Sequence, residues 1–253
     1  MAPRTVLVTG GSSGIGRATA IAFARQGAKV IVAARSAAKL AEVASESAGV
    51  ETVSVSLATP EGCEQAYAEA VRRLGSVDVL VNNAGTDLDE GRPIWDQRDS
   101  DWRGTLAINL DAPFFLSRLA SGEMVRRRWG RIVMVSSTAG QVGAPGTSSY
   151  CASKHGLLGL MRAIAQDVAP FGVTCNAVLP GWVQTPAADN SAKREAEARG
   201  LTADEIWSER RASYAAGRVL SPEEIAEAIV FLAGDGASGI NGEAMTIALG
   251  GTW

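Results

Sequence analysis

Histidine is nearly absent: of 253 residues only His155 carries an imidazole, so a His-rich metal site cannot be assembled. The three cysteines, Cys63, Cys151 and Cys175, are scattered without paired spacing, which argues against a disulfide framework and a structural metal. No run of ~18 apolar residues occurs. The opening "MAPRTVLVTGG" enters a strand pattern almost at once, instead of a basic segment followed by a long apolar stretch. A soluble, cytoplasmic protein without a membrane span is therefore expected. Neither sign of charge dominates, with a formal net charge of -3 and a sequence pI of 5.4, so there is no electrostatic basis for general nucleic-acid binding.

What is present is a large, mixed composition, 46% hydrophobic and 20% charged, enough for a sizeable α/β core. Short β-branched runs recur at Thr5 to Thr9, Lys29 to Ala34, Val53 to Leu57, Val77 to Asn82, Arg131 to Ser136, Val173 to Leu179 and Ala244 to Leu249. They alternate poorly in polarity, as strands buried on both faces do. Helix-length segments separate them. Gly27 and Gly75 read as helix stops, and Ser36, Thr59 and Ser221 as N-caps. Pro60 and Pro222 fit the first helical position, and Ser221 with Glu224 has capping-box spacing. Regular alternation of strand and helix predicts a parallel sheet covered on both faces, with ligands bound at the carboxyl edge of the strands. No linker, composition shift or internal repeat divides the chain, so one domain over 1–253 is expected.

After the first strand, "TGGSSGIG" (Thr9 to Gly16) leads into an amphipathic segment. Glycines there permit a tight turn and close backbone approach, and the helix that follows offers free N–H groups to a pyrophosphate. The strand–loop–helix context predicts a dinucleotide site, although the spacing differs from G-x-G-x-x-G. The second strand ends in "VAARS", with Ala34 where such folds place an acidic residue for a ribose hydroxyl. Arg35 follows it with a guanidinium fork suited to a 2′-phosphate, which favours NADP(H) over NAD. As a solvated residue opening the next helix, Arg35 would have no such role.

Tyr150 and Lys154 stand four apart in "SSYCASKHG", a segment that reads as helix, so their side chains share one face. Alone, such a pair reads foremost as an ordinary surface contact, since so short a pattern recurs by chance. Taken in order, however, "TGGSSGIG", "NNAG" (Asn82 to Gly85), Asn109 in "AINL", Ser137 in "VSS", "YCASK" and "PGWVQT" (Pro180 to Thr185) resemble the short-chain dehydrogenase/reductase family over essentially the whole chain. Within it the chain is similar to the ketoreductase branch, which includes 3-oxoacyl carrier-protein reductases and aromatic-polyketide ketoreductases.

The resemblance implies a single Rossmann-type doubly wound parallel sheet of about seven strands. It also implies NADPH-dependent, reversible reduction of a ketone to a secondary alcohol. Tyr150 is then the general acid, Lys154 and the oxidised nicotinamide draw its pKa down from about 10, Ser137 rather than Ser136 hydrogen-bonds the substrate oxygen, and Asn109 holds a water in a relay toward Lys154. For the cofactor it implies Gly10, Ser12, Ser13, Ile15 and Gly16 at the pyrophosphate, Arg35 at the 2′-phosphate, Asn83 and Gly85 at the adenosine ribose, Tyr150 and Lys154 at the nicotinamide ribose, and Pro180, Val183 and Thr185 at the nicotinamide. Three positions depart from the family pattern. Ser56 stands where relatives carry Asp or Asn, leaving Leu57 to contribute through its backbone; Ser13 replaces a basic residue frequent in NADP users; Asn241 stands where Thr is usual, with no functional reading.

Ala187 to Gly217 is polar, charged and helix-prone, and reads as a helical substrate lid at about 187–217 or equally as a solvated face. "RRRWGR" (Arg126 to Arg131) offers a basic surface to an acyl carrier protein, but relatives of that kind often carry a basic residue at the position of Phe171. A free, bulky or aromatic ketone is therefore slightly favoured, with Trp182 and Trp207 as apolar wall or as structural residues. The resemblance, with two long helical segments around Trp102 to Gly122 and Ser149 to Ala169, implies a homotetramer. The alternative from another class is a dinucleotide-sensing regulator without turnover; such proteins commonly lose the catalytic set, which this chain retains at Ser137, Tyr150 and Lys154.

Overall fold

The computed structural model describes residues 4–89 and 91–251. Its parallel strands are β1 (Thr5–Thr9), β2 (Lys29–Ala34), β3 (Val50–Ser54), β4 (Val79–Asn82), β5 (Gly130–Val135), β6 (Val173–Pro180) and β7 (Ala244–Ile247), in the order β3-β2-β1-β4-β5-β6-β7. Neighbouring residues along a strand serve opposite layers: Val6 and Val8 join one core, Leu7 the other. That division explains why β1, β2, β4, β5 and β6 read as apolar runs, whereas β3 and β7 at the sheet edges are only partly buried.

The helices are α1 (Gly14–Arg25), α2 (Ala37–Glu46), α3 (Pro60–Leu74), α4 (Asp99–Leu106), α5 (Ala112–Arg127), α6 (Ser148–Val168), α7 (Pro186–Arg199), α8 (Ala203–Ala212) and α9 (Pro222–Ala233). Phe23, Leu40, Val43, Ile225 and Ile229 bring α1, α2 and α9 onto one face of the sheet. Tyr67, Leu116, Met124, Leu157 and Met161 bring α3, α5 and α6 onto the other. The capping signals act as expected from their chemistry: Ser36 accepts from Lys39 N at 3.4 Å, Thr59 from Gly62 N at 3.2 Å, and Ser221 and Glu224 exchange bonds of 3.4 and 2.9 Å.

The third strand lies three residues earlier than the apolar run Val53 to Leu57 indicates. Its partner decides this, because Val30 to Ala34 of β2 align with Val50 to Ser54 and leave nothing for Ser56 and Leu57 to pair with. Val55 and Leu57 are buried all the same, as side chains of the loop that enters α3.

β2 and β3 lie on one side of β1, and β4 to β7 on the other. The chain reverses direction across the sheet between β1 and β4, and the crevice at their carboxyl ends is where such folds take ligands. Both the glycine-rich loop and the "NNAG" segment open there.

Candidate active site

The loop after β1 is shaped by close backbone approach. Gly10 has φ +65, and a Cβ on it would sit 2.7 Å from Ala84 Cα. On Gly16 a Cβ would sit 2.4 Å from Asn83 Nδ2 and 2.7 Å from the Gly10 carbonyl oxygen. Asn83 holds the two strand ends together, donating from Nδ2 to the carbonyls of Thr9 (2.8 Å) and Gly10 (3.2 Å). The Thr9 hydroxyl accepts from the amides of Asn83 and Ala84, both at 3.0 Å. Only this cross-strand packing reveals the part of Thr9 in the loop, while Gly14 takes the turn at φ +53.

This cradle fits a dinucleotide. Ser13 is the N-cap of α1, yet its side chain makes no capping bond and the first turn carries no acidic residue. The amides and positive dipole end of α1 therefore face the crevice without a side-chain partner. Ser12, Ser13 and Ile15 lie on this turn. Thr185, the N-cap of α7, approaches from the far side, its Cγ2 being 3.0 Å from the place of a Gly14 Cβ. Pro180 ends β6, and Val183 is buried in a bridge with Leu220.

At the end of β2, Ala34 is buried and Arg35 exposed. Among the described residues Arg35 enters no ion pair, while its carbonyl accepts from Ser54 Oγ at 3.1 Å. Leu57 is buried, and its carbonyl accepts from Cys63 Sγ at 3.5 Å. Ser56 is exposed, with its hydroxyl turned to Ala58 N at 3.4 Å.

Tyr150 and Lys154 occupy one face of α6, with Lys154 Nζ 5.5 Å from the phenol ring centre. The ammonium is 3% exposed and donates to the Val135 carbonyl at 2.9 Å. Burial pushes Lys154 down from 10.5 to about 8. Tyr150 moves the other way: burial raises it from 10.0 to about 12, against a lowering hydrogen bond with Ser137, and the Asp87 carboxylate adds to the rise. The expected lowering by Lys154 and the oxidised nicotinamide concerns the cofactor-bound state; in the chain alone burial sets the direction.

The two serines after β5 divide their roles by position. Ser136 Oγ donates to the Lys154 carbonyl at 3.2 Å and is spent on structure. Ser137 Oγ accepts from Ala139 N at 3.1 Å, which leaves its own proton to donate toward the Tyr150 side of the cleft. Gly85 is exposed above this group: a Cβ there would lie 3.6 Å from Lys154 Nζ and 3.7 Å from Asn109 Oδ1. Asn109 is fully buried in a π-helical turn, Ala107–Asp111, joining α4 to α5. Its amide donates to the Thr86 carbonyl (2.9 Å) and Ser153 Oγ (3.0 Å), and its oxygen accepts from Thr86 N (2.8 Å). Both side-chain donors are therefore committed to protein partners.

The segment read as a lid forms α7 and α8, packed through Ala192, Ala196, Ile206 and Trp207. Trp207 is buried in that contact and forms no cleft wall, whereas Trp182 is 37% exposed with Arg210 stacked 3.6 Å from its ring centre. Among the described residues no cluster of metal-ligating side chains occurs, and no helix is long and apolar enough to cross a membrane.

The family profile described as short chain dehydrogenase matches residues 4–196. A protein assigned as ketoacyl reductase of the monensin polyketide synthase of Streptomyces virginiae is 38% identical over 96% of this chain and 95% of its own length. A D-beta-hydroxybutyrate dehydrogenase of Cupriavidus necator is 36% identical, covering 94% of both chains. A 3-oxoacyl-[acyl-carrier-protein] reductase of Aquifex aeolicus is 34% identical over 95% of this chain and 94% of its own. Among solved structures, a variant of actinorhodin polyketide ketoreductase crystallised with NADPH superposes with a TM-score of 0.93 at 33% identity, covering 98% of this chain and 97% of that one.

Proposed function

The chain belongs to the short chain dehydrogenase family, and from that premise we propose that it is an NADPH-dependent ketoreductase acting on a bulky or aromatic ketone. The observation that carries this reading is the meeting of Ser137, Tyr150 and Lys154 in one cleft beside the glycine cradle, below Gly85. A bound reduced nicotinamide would supply the hydride. Everything else falls to the protein. At neutral pH a phenol near 12 is protonated, as the acid of a reduction must be. Ser137 orients the carbonyl oxygen and Tyr150 gives that oxygen its proton. Lys154, near 8, is largely an ammonium at neutral pH and favours the phenolate left behind.

Asn109 serves the proton relay through its backbone, because its side-chain donors are already bonded. A π turn leaves a carbonyl without its usual helical partner, which suits it to hold a water. Around the cofactor, the α1 amides with Gly10, Ser12, Ser13, Ile15 and Gly16 take the pyrophosphate, Arg35 the 2′-phosphate, and Leu57, Asn83 and Gly85 the adenosine side. Pro180, Val183 and Thr185 take the nicotinamide, with Tyr150 and Lys154 at its ribose.

An apolar hollow of about 340 Å³, lined in part by Pro93, Ile94, Trp95, Pro145 and Ser148, supports the bulky-ketone reading. α7 and α8 act as the lid. The exposed Trp102 and Phe114 on α4 and α5 support a homotetramer, and a cytoplasmic location suits NADPH chemistry. Carrier-bound 3-oxoacyl substrates are the second reading, favoured by the exposed Arg126 and Arg128 where α5 ends.

NADPH consumption followed by absorbance over a panel of ketones tests the activity, with Tyr150→Phe as the decisive variant. Removing one hydroxyl should abolish nearly all turnover and leave NADPH affinity within about threefold. Tight NADPH binding without consumption of any ketone would instead mark a dinucleotide sensor.

A further inference from the structure

Asp89 is a completely buried carboxylate that the proposed chemistry does not use. It lies in the segment between β4 and α4, yet it bonds to the first turn of the helix that carries Tyr150. One oxygen accepts from Ser149 Oγ at 2.7 Å; the other accepts from Ser149 N at 2.8 Å and Tyr150 N at 3.3 Å. The residue that should cap α6 from within the chain, Thr147, makes no side-chain capping bond. A carboxylate from another segment takes over that role, where the free amides and the helix dipole both favour it.

Two neighbouring contacts bind the same two segments, and a third anchors one of them to α4. Ser148 Oγ donates to Gln97 Oε1. Gly146, at φ +69, lies so close to Gly91 that a Cβ would come within 2.5 Å of its backbone. Arg92 donates to the Leu88 carbonyl at 3.0 Å and to Asp101 Oδ2 at 2.5 Å, tying the segment down to α4. Asp89 is the member of this clasp that reaches the backbone of the proton donor itself.

We propose that Asp89 is a positioning residue for Tyr150, fixing the first turn of α6 so that the phenol holds its place against Ser137 and Lys154. Helix ends fray when their amides lack partners, and Tyr150 is the third residue of α6. Lys154, a turn further in, keeps its own anchor on the Val135 carbonyl. Losing the carboxylate therefore moves the phenol relative to the ammonium instead of shifting both together. The inference rests on the reading of Tyr150 as the proton donor.

The test uses the full chain, NADPH and the panel ketone turned over fastest, with kcat and KM measured in H2O and D2O for wild type, Asp89→Ala, Asp89→Asn and Tyr150→Phe. Active-site concentration comes from NADPH fluorescence titration. Asp89→Ala should lose at least ~10-fold in kcat per NADPH-binding site, with NADPH affinity within about twofold, since a displacement near 1 Å can cost ~100-fold. Its solvent isotope effect should rise, because transfer of the phenol proton becomes the slow step. Asp89→Asn keeps an acceptor for a helix amide and a donor for Ser149 Oγ, and should recover kcat to within about fivefold of wild type. If Asp89→Ala does not fold, the Asn variant and its isotope effect decide.

Wild-type kcat per site in Asp89→Ala, a loss that merely follows the number of NADPH sites, or a lowered kcat with an unchanged isotope effect would each overturn the proposal. An inactive Tyr150→Phe beside an unaffected Asp89→Ala refutes the positioning role alone. An active Tyr150→Phe refutes the reading beneath it.

Discussion

Replacing Lys154 by methionine should stabilise the cofactor-free protein while removing its activity. The ammonium is 3% exposed and its pKa is held at about 8 instead of 10.5, by burial. Keeping it charged in the folded chain at neutral pH costs ~3 kcal/mol, at 1.36 kcal/mol for each tenfold change in proton affinity. Methionine has similar length, no charge and a side chain that adapts to its surroundings. Losing the bond to the Val135 carbonyl returns about 1 kcal/mol. A net gain of ~2 kcal/mol remains, which for a chain of this size raises Tm by ~4–8 °C.

The pH dependence supplies the sharper test. Because the folded pKa lies below the unfolded one, the unfolded chain binds the extra proton between pH 8 and 10.5. Wild type therefore gains stability as pH rises through that window, and the methionine variant, which has nothing to titrate there, does not. Scanning calorimetry without cofactor should show the variant ahead at pH 7 and the gap nearly closed at pH 10.5. Saturating NADPH should stabilise wild type more than the variant. A variant that melts at or below wild type at pH 7, or a gap independent of pH, would refute the reasoning.

Other expectations follow from single sites. Arg35→Leu, alone or with Ala34→Asp, should lower the NADPH:NADH ratio of kcat/KM at least ~10-fold, or ~1.4 kcal/mol, because it removes a forked cation and then adds repulsion; matched kinetics at one ionic strength that show an unchanged ratio would make Arg35 a solvated residue. Gly16→Ala puts a methyl 2.4 Å from Asn83 Nδ2 and 2.7 Å from the Gly10 carbonyl. It should cost ~1–3 kcal/mol of stability and weaken NADPH ~10-fold or more by calorimetric titration, and wild-type affinity would show that the loop tolerates the side chain. Alcohol oxidation needs the phenolate of a tyrosine that stands near 12 before cofactor binds, so its rate should climb through the alkaline range while ketone reduction does not. Parallel pH profiles for the two directions would contradict this assignment.

Much of the architecture could be read in the chain because its signals are local. Strands buried on both faces must be apolar throughout, and five of the seven runs begin within one residue of the observed strand. Caps such as Ser221 with Glu224 act within one turn, so their spacing is enough to find them. Tyr150 and Lys154 share a helical face by periodicity, and the glycines of the first loop announce a turn before it is seen. The third strand was misplaced because its register belongs to β2, and a strand cannot state its partner.

Contacts across long stretches of sequence decided the rest. Asn241 had no reading in sequence; in the fold it links strand to helix, accepting from Cys175 N at 2.9 Å and donating to the Ala165 carbonyl at 2.9 Å. Trp207 could have lined a cleft until α7 closed over it. The sequence by itself determined the alternation of strand and helix, the phosphate loop and the order of the catalytic motifs, all of which depend on neighbours a few residues away. Only the tertiary structure determined that Lys154 is buried, that burial raises the Tyr150 phenol, and that Asp89 caps a helix 60 residues further along the chain. Burial and dielectric belong to the packed whole, and no local pattern encodes them.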